Sequence, residues 1–239
     1  MKVALDVHTH TIVSGHAYST IQEMAKAAAE KGLQILGMAE HGPTIKGACD
    51  AAYFNNLSVI PEEIYGVKIL VGAEINILDT YGSLDLSEKS IRKLKIRIAG
   101  IHHSCYRPGT VEENTDAVIG VMKNPLIDII SHPADGTADL DYERLVQTAK
   151  ETRAMLEINN SSLSPSRGKE KAWECHKQLL TLCKKYELMV IMGSDAHISF
   201  DVARYDHIYR LLQEVEFPEA LIINDKPDLF WQRLKRNEK

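Results

Sequence analysis

Cysteine is scarce in this chain. The 239 residues include four cysteines, and none of them forms a CxxC pair. Cys175 and Cys183 fall on one predicted helix among apolar neighbours, so we expect them to pack rather than to form a redox pair. Free thiols are typical of a reducing compartment, which predicts a cytoplasmic protein.

Long apolar runs are also missing. No segment approaches the roughly 20 apolar residues that a membrane-spanning helix needs. Asp6 and His8 interrupt the beginning of the chain, where a signal peptide would be apolar. Linkers, internal repeats and low-complexity segments are absent as well. We therefore expect no membrane partner, and a single domain over residues 1–239.

The chain has no excess of basic residues. Lys and Arg number 28 against 33 Asp and Glu, which gives a net charge of −5 at pH 7. The cations are scattered along the sequence, so nonspecific binding to nucleic acid or to anionic membranes is not expected. The composition, with 44% apolar and 26% charged residues, is that of a soluble globular protein.

What the chain does have is a regular alternation of strand-like and helix-like runs. The predicted strands are 3–7, 35–39, 68–77, 96–101, 127–131, 155–159 and 189–192, with a further short strand at 221–223. The predicted helices are about 20–31, 86–94, 111–122, 140–151, 170–186, 201–215 and 227–236. Such alternation is typical of βαβ units and predicts an α/β fold with a parallel sheet closed into a barrel.

Most of the strand-like runs end in His, Glu or Asp. In a parallel barrel the C-terminal ends of the strands open on one face, so these side chains are expected to converge. Imidazole suits Zn²⁺, Mn²⁺ and Fe²⁺, and a carboxylate can bridge two such ions. The sequence therefore predicts a multinuclear metal site. Its ligands would be His8, His10, His16, His41, Glu74, His102, His132, Asp195 and His197.

These motifs resemble those of the PHP (polymerase and histidinol phosphatase) superfamily. HxH after the first strand, His16, AEH, Glu74, GIH, SHP and GSDAH follow the order and spacing of the stand-alone YcdX-type phosphatases. The resemblance covers residues 3 to about 200. It implies a distorted, TIM-like (β/α)7 barrel, three divalent ions (usually zinc, sometimes manganese or iron) and a homotrimer.

The resemblance also implies how the ligands divide among the ions. The first ion would be held by His8, His10, Glu74 and Asp195. The second would be held by His16, His41 and His197, and the third by Glu74, His102 and His132. After the fourth strand the chain departs from its relatives with His103-Ser104-Cys105, so the role of that loop does not carry over.

Three divalent ions would make the pocket cationic, at about +3 after two carboxylates and one hydroxide are counted. This charge favours a phosphomonoester dianion, attacked by a hydroxide that bridges two metals. Asp195, His197 and His103 are candidates for protonating the leaving alkoxide. Arg167 is predicted to contact the phosphate, with Asn159 and Ser161 as hydrogen-bond donors.

One further role is predicted at the first strand. Asp6 lies next to the HxH motif and is expected to accept a hydrogen bond from a ligand histidine, as metal-bound histidines usually require.

Several other functions remain open beside a metal-dependent phosphatase acting on a small phosphomonoester. A histidinol phosphatase shares the metal set but is expected to have longer insertions on the ligand face. A phosphodiesterase or nuclease is expected to carry basic, aromatic-interleaved patches. A non-catalytic PHP scaffolding module is expected to have lost ligands, whereas all nine are present. An amidohydrolase-type enzyme shares HxH but has no place for His16 and a third metal.

Overall fold

The computed structural model describes residues 2–234, with eight strands and seven α-helices within that range. The strands are β1 (Leu5–Thr9), β2 (Ile35–His41), β3 (Glu63–Ile64), β4 (Val67–Asn76), β5 (Ile96–Gly100), β6 (Ile129–Ile130), β7 (Met155–Asn159) and β8 (Ile191–Gly193). The helices are α1 (Ile21–Glu30), α2 (Glu88–Ile91), α3 (Val111–Lys123), α4 (Tyr142–Thr152), α5 (Ala172–Lys185), α6 (Asp206–Glu214) and α7 (Pro227–Leu234).

Seven of the strands form a nearly closed parallel barrel. Their order is β1-β2-β4-β5-β6-β7-β8, and β3 pairs antiparallel with β4 outside this path. Closure between the two ends is made just past β8, where the His10 N–H donates to the Ala196 carbonyl at 2.9 Å. The predicted α/β fold, a distorted TIM-like barrel of seven parallel strands, is confirmed.

Two apolar layers stabilise the barrel. The inner layer consists of inward-facing strand side chains, such as Leu5, Ile35 and Ile98, and α7 adds the fully buried Phe230 to it. The outer layer fills the space between strands and helices. Since residues two apart on a strand face the same side, one strand supplies both layers.

A β-bulge in β1 places the HxH motif. The pairing register with β2 shifts between Asp6 and Thr9, where β1 carries one extra residue. A bulge of this kind changes the alternation of side chains along a strand. Val7 therefore packs into the inner layer, while His8, the next residue, reaches the polar cluster above it.

Several element boundaries differ from those predicted. The predicted strand at 221–223 is wrong, because Glu219–Leu221 is a 3-10 helix and Ile222 makes one isolated bridge to Val190. The helix predicted from residue 201 begins at Asp206, after a separate 3-10 turn. The last helix is described as far as Leu234, so the predicted extension to 236 lies outside the described residues.

The long segment predicted between the second and third strands is not structureless. It contains two 3-10 helices, Tyr53–Asn55 and Leu57–Val59, followed by β3. None of the helices described within residues 2–234 is long and apolar enough to cross a membrane.

Candidate metal centre

Glu74, at the C-terminal end of β4, lies at the centre of the polar cluster. Its Oε2 atom is 2.9 Å from Nδ1 of His41, 3.4 Å from Nε2 of His8 and 3.6 Å from Nε2 of His10. The Glu74 side chain is fully buried. Three imidazole nitrogens therefore face one carboxylate oxygen.

The other oxygen of Glu74 faces a different pair of histidines. Oε1 lies 2.7 Å from Nε2 of His132 and 3.2 Å from Nε2 of His102. One carboxylate thus separates two groups of ring nitrogens. This is the arrangement that a carboxylate bridging two ions requires.

A further group is formed by histidines alone. Nε2 of His16 lies 3.3 Å from Nε2 of His41 and 3.0 Å from Nε2 of His197. Two nitrogens bound to one tetrahedral Zn²⁺ at about 2.05 Å are about 3.3 Å apart. Both distances therefore suit nitrogens that share a single ion.

Asp195 completes the cluster from the segment after β8. Its Oδ1 atom lies 3.2 Å from Nε2 of His10 and 3.8 Å from Nε2 of His8. Its Oδ2 atom accepts a hydrogen bond from Nδ2 of Asn159 at 3.4 Å. Oδ1 of Asp195 is therefore left to bind a metal ion.

The residues present fit metal ions. Several buried ring nitrogens and carboxylate oxygens of this cluster lie close to one another but form no hydrogen bond of suitable geometry among residues 2–234: His8 Nε2, His10 Nε2, His41 Nδ1, Glu74 Oε2 and Asp195 Oδ1. Buried polar atoms without a hydrogen bond are costly and rare, and cations bound in the cluster would satisfy them. Three overlapping groups have ligand spacing: His10-His41-His197, His8-His10-Glu74 and His41-Glu74-His102.

The backbone is strained at two of these residues. His132 has a φ of +30° and Asp195 a φ of +54°, which is the left-handed region that non-glycine residues rarely occupy. Hydrogen bonds from their main-chain N–H groups hold both, at 2.8 Å to Oε2 of Glu157 and at 2.9 Å to the carbonyl of His8. Such strain persists where the surrounding structure imposes it, commonly at functional sites.

Glu157, on β7, contacts His8 on the side of that ring opposite to the proposed metal-binding nitrogen. Its Oε1 atom lies 2.6 Å from Nδ1 of His8, and its Oε2 atom accepts from Nδ2 of Asn159 at 3.1 Å. Gly193 makes room for this carboxylate, because a Cβ there would lie 1.7 Å from Oε1. Sequence reasoning missed Glu157, although a glutamate inside the apolar strand MLEIN could have indicated it.

Glu40 supports the cluster from another side. Its Oε2 accepts a hydrogen bond from Oγ of Ser14 at 2.6 Å, and its Oε1 accepts from Oγ1 of Thr11 at 2.6 Å. Ser14 Oγ in turn accepts the main-chain N–H of His41 at 2.9 Å and lies 3.1 Å from Nδ1 of His10. The segment that carries His16 is thereby tied to β2.

The role predicted for Asp6 is wrong. Its carboxylate accepts hydrogen bonds from Oγ of Ser194 at 2.5 Å and from the N–H of Ala203 at 2.8 Å, rather than from a ligand histidine. Asp6 lies before the bulge in β1, so its side chain points away from the cluster. Glu157 accepts from His8 in its place.

The ionisable side chains of the cluster shift one another's pKa values. Although burial opposes it, the histidines His102, His8 and His132 hold the pKa of Glu74 well below its usual range. Burial lowers the pKa of His10 well below its ordinary value, and nearby histidines add to this. Ionised carboxylates and neutral imidazoles are the forms that bind metal.

The pKa of His8 is shifted in the opposite direction to that of His10. Burial alone would lower its pKa, but the carboxylates of Glu157, Glu74 and Asp195 raise that pKa well above the usual value. Without a cation, the clustered carboxylates thus draw a proton onto His8. A bound metal ion would supply the positive charge instead.

A cavity of about 330 Å³ opens above the cluster. Its lining includes five of the six residues for which catalytic or substrate contacts are predicted, namely His103, Ser161, Arg167, Asp195 and His197. His103 and Arg167 are exposed, and Ser161 is half-buried. Asn159 is fully buried behind Asp195, where its Oδ1 accepts the main-chain N–H of Ser162 at 2.8 Å. Their roles in catalysis and substrate binding stay predictions.

Lys169 lies in the same cavity wall and was missed in the sequence, where the predicted phosphate contacts end at Arg167. Its Nζ forms an ion pair with Asp135. Asp135 in turn lies 3.5 Å from Nδ1 of His132. The cavity wall therefore carries a positively charged side chain, Lys169, in addition to Arg167, and Asp135 holds it near His132.

Comparison with known proteins identifies the family. The PHP domain family matches residues 6–190. A probable phosphatase of Acetivibrio thermocellus is 46% identical over 238 residues, which is 100% of this chain and 98% of that protein. A probable phosphatase of Caldanaerobacter subterraneus subsp. tengcongensis is 46% identical over 241 residues, covering 100% and 94%.

A solved structure shares the fold. The crystal structure of histidinol phosphate phosphatase from Lactococcus lactis subsp. lactis, complexed with zinc, L-histidinol and phosphate, aligns with a TM-score of 0.57 over 91% of this chain and 95% of that chain. At 17% identity this likeness concerns the fold alone. Since the family match spans most of the chain and a relative is 46% identical along all of it, the protein belongs to the PHP domain family.

Proposed function

We propose that the protein, a PHP-family phosphatase, hydrolyses a small phosphomonoester with three divalent ions held around Glu74. Zinc is the first choice, because the clusters are rich in imidazole and their spacing suits tetrahedral coordination. The observation that carries the proposal is the convergence of nine candidate ligands below an open cavity whose wall includes Arg167 and Lys169.

For the ligands we propose the division that the family resemblance implies. His8, His10, Glu74 and Asp195 would hold the first ion; His16, His41 and His197 the second; and Glu74, His102 and His132 the third. When bound, the ions supply a water nucleophile that is activated at neutral pH, together with positive charge for the phosphoryl oxygens. Relatives named as probable phosphatases support this chemistry.

The residues of the chain itself have separate tasks. Arg167 and Lys169 line the cavity and would bind the phosphoryl oxygens, where Arg offers bidentate donors. Glu157 holds His8 in one ring orientation. Asn159 fixes the carboxylate of Asp195 through its Nδ2 group.

The leaving alkoxide needs a proton. Asp195 is a poor donor: although burial opposes it, the nearby histidines hold its pKa well below the usual range, so it is ionised at neutral pH. His197 directs Nε2 towards His16 within the histidine group. His103 is exposed at the cavity wall outside the ligand set, which makes it the preferred donor of the three.

The experiment compares ester classes with the purified, metal-loaded protein. We expect turnover of p-nitrophenyl phosphate and little turnover of bis(p-nitrophenyl) phosphate. A preference for the diester would instead support the phosphodiesterase alternative. L-Histidinol phosphate serves as a third substrate, and a strong preference for it would favour a histidinol phosphatase.

A further inference from the structure

A second cavity, of about 280 Å³, lies beside the metal-site cavity. Four residues line both cavities: Ser161, Arg167, Asp195 and His197. The second cavity therefore reaches the same carboxylate and histidine from the side of α6. A substrate whose phosphate lies in the first cavity could extend into the second.

The wall of the second cavity is polar throughout. All of its lining residues have polar side chains, among them serines of the loop after β7. Ser164 and Ser166 lie with their Oγ atoms 2.9 Å apart. A wall of hydroxyl, amide and imidazole groups offers both donors and acceptors.

The charged groups of this wall largely neutralise one another. Nη1 of Arg204 lies 3.0 Å from Oδ1 of Asp201, and its Nε lies 3.0 Å from Oδ2 of Asp206. Arg204 is thus paired with two carboxylates and offers little charge to a second anionic group. The cavity suits a neutral polar occupant.

His207, in the first turn of α6, contributes an imidazole to this wall. Its main-chain N–H donates to Oδ1 of Asn160 at 3.0 Å, which fixes the residue against the loop after β7. Its Nδ1 atom is buried and has no hydrogen-bond partner among residues 2–234. A group in the cavity cannot reach this nitrogen, so an occupant meets the exposed part of the half-buried imidazole, which lines the cavity.

We infer that this cavity binds the leaving-group part of the substrate, and that this part is neutral and rich in hydroxyl groups. The inference rests on the proposed function. A hydroxyl group both donates and accepts, so a polyol or sugar satisfies the serines and His207 together. An alkyl or aromatic leaving group leaves these groups unpaired, which is what makes a polar site reject an apolar analogue.

The test uses two esters of similar shape and leaving-group chemistry. D-Glucose 6-phosphate and cyclohexylmethyl phosphate are both esters of primary alcohols on a six-membered ring, and only the first carries hydroxyl groups. The metal-loaded protein is expected to show at least about a tenfold higher kcat/KM for the sugar ester. His207→Leu is expected to abolish most of that preference, because KM for the sugar ester rises and the apolar ester no longer leaves the imidazole unpaired.

His207→Gln keeps a hydrogen-bonding group and is expected to restore most of the preference. If His207→Leu does not fold, Ser164→Val tests the same wall with the same pair of esters. Equal kcat/KM for the two esters, together with turnover of p-nitrophenyl phosphate, would overturn the inference and leave the phosphatase intact. Failure to hydrolyse any of the three esters would overturn the proposed function, and the inference with it.

Discussion

Nδ1 of His8 lies 2.6 Å from Oε1 of Glu157, and both side chains are buried. The same carboxylate accepts the main-chain N–H of His132 through its other oxygen. One residue of β7 thus fixes a side chain of β1 and the backbone after β6. Two proposed metal ligands depend on a residue that would touch no metal.

Glu157→Gln is therefore expected to weaken metal binding. The amide can still face His8 with its oxygen, but its NH2 group then meets the N–H of His132 and the amide of Asn159, which are both donors. Removal of such a supporting contact typically costs 10–100-fold in metal affinity, and we expect a loss of about that size. Competition with a fluorescent zinc chelator measures it.

Glu143→Gln is the matched control for that substitution. Glu143 lies at the surface in the first turn of α4, outside the proposed ligands, where it pairs with Lys185 and Tyr186, and surface ion pairs contribute little to stability. Equal zinc affinity in the two variants would contradict the role assigned to Glu157.

Gly193→Ala is expected to destabilise the protein and to disturb the same contact. A Cβ at this position would lie 1.7 Å from Oε1 of Glu157, so either the strand or the carboxylate must move. Overpacking of this kind typically costs about 1–3 kcal/mol of the free energy of unfolding. Denaturant unfolding of the metal-free protein measures the change.

Gly120→Ala is the control for Gly193→Ala. Gly120 lies in α3, and a Cβ there meets nothing within 4 Å. Alanine is favoured over glycine inside a helix by about 0.5–1 kcal/mol, so this variant should be slightly more stable than the parent. Destabilisation by Gly120→Ala equal to that by Gly193→Ala would show that the close approach to Glu157 does not matter.

Acid is expected to destabilise the metal-free protein partly through His176. This buried residue of α5 lies with Nδ1 2.8 Å from the carbonyl of Ala172, while its Nε2 accepts the N–H of Asn159 at 3.4 Å. Protonated imidazole would turn Nε2 into a donor facing a donor. Burial, the largest effect, lowers the pKa of His176 to about 4, against about 6.5 in the unfolded chain.

The direction in which the free energy of unfolding changes with pH follows from which state of the protein binds the proton. Above pH 6.5 neither state protonates His176, whereas between pH 6.5 and 4 only the unfolded state does, so the free energy of unfolding falls as pH falls. His176 alone accounts for about 3 kcal/mol over that window. His176→Gln should show a correspondingly shallower pH dependence in urea unfolding, and identical slopes for both proteins would refute this account.

Glu74→Gln is expected to lose both metal and activity. An amide offers one oxygen where the carboxylate offers two, and the two oxygens of Glu74 face different histidine groups. We expect at least one fewer bound ion per chain and a fall in kcat/KM beyond the roughly 100-fold loss typical of a supporting residue. Elemental analysis beside kinetics measures both, and full activity in this variant would rule out the bridging assignment.

Much of the barrel could be predicted because hydrophobic periodicity is local. The predicted strand 155–159 coincides with β7, and the helix predicted over about 20–31 corresponds to α1. The ligands that end strands converge because parallel strands share one open face. His102 and His132 thus meet at Glu74 although they are far apart in sequence.

The supporting residues could not be predicted in the same way. The bulge in β1 decides that His8 faces Glu157 and that Asp6 does not, and a bulge depends on pairing with β2 rather than on local pattern. The strand predicted at 221–223 fails for a related reason. Its apolar residues pack into the core, but the chain pairs there at Ile222 alone.

We propose that the side chains around Glu74 hold three ions, and that these ions are required for phosphatase activity. The direct test strips the metal with a chelator, titrates Zn²⁺ back, and follows bound zinc per chain together with hydrolysis of p-nitrophenyl phosphate. We predict that activity is lost on chelation and returns as about three ions bind, while Asp195→Ala stays inactive. Activity that survives complete removal of metal, or full activity in Asp195→Ala, would contradict the account.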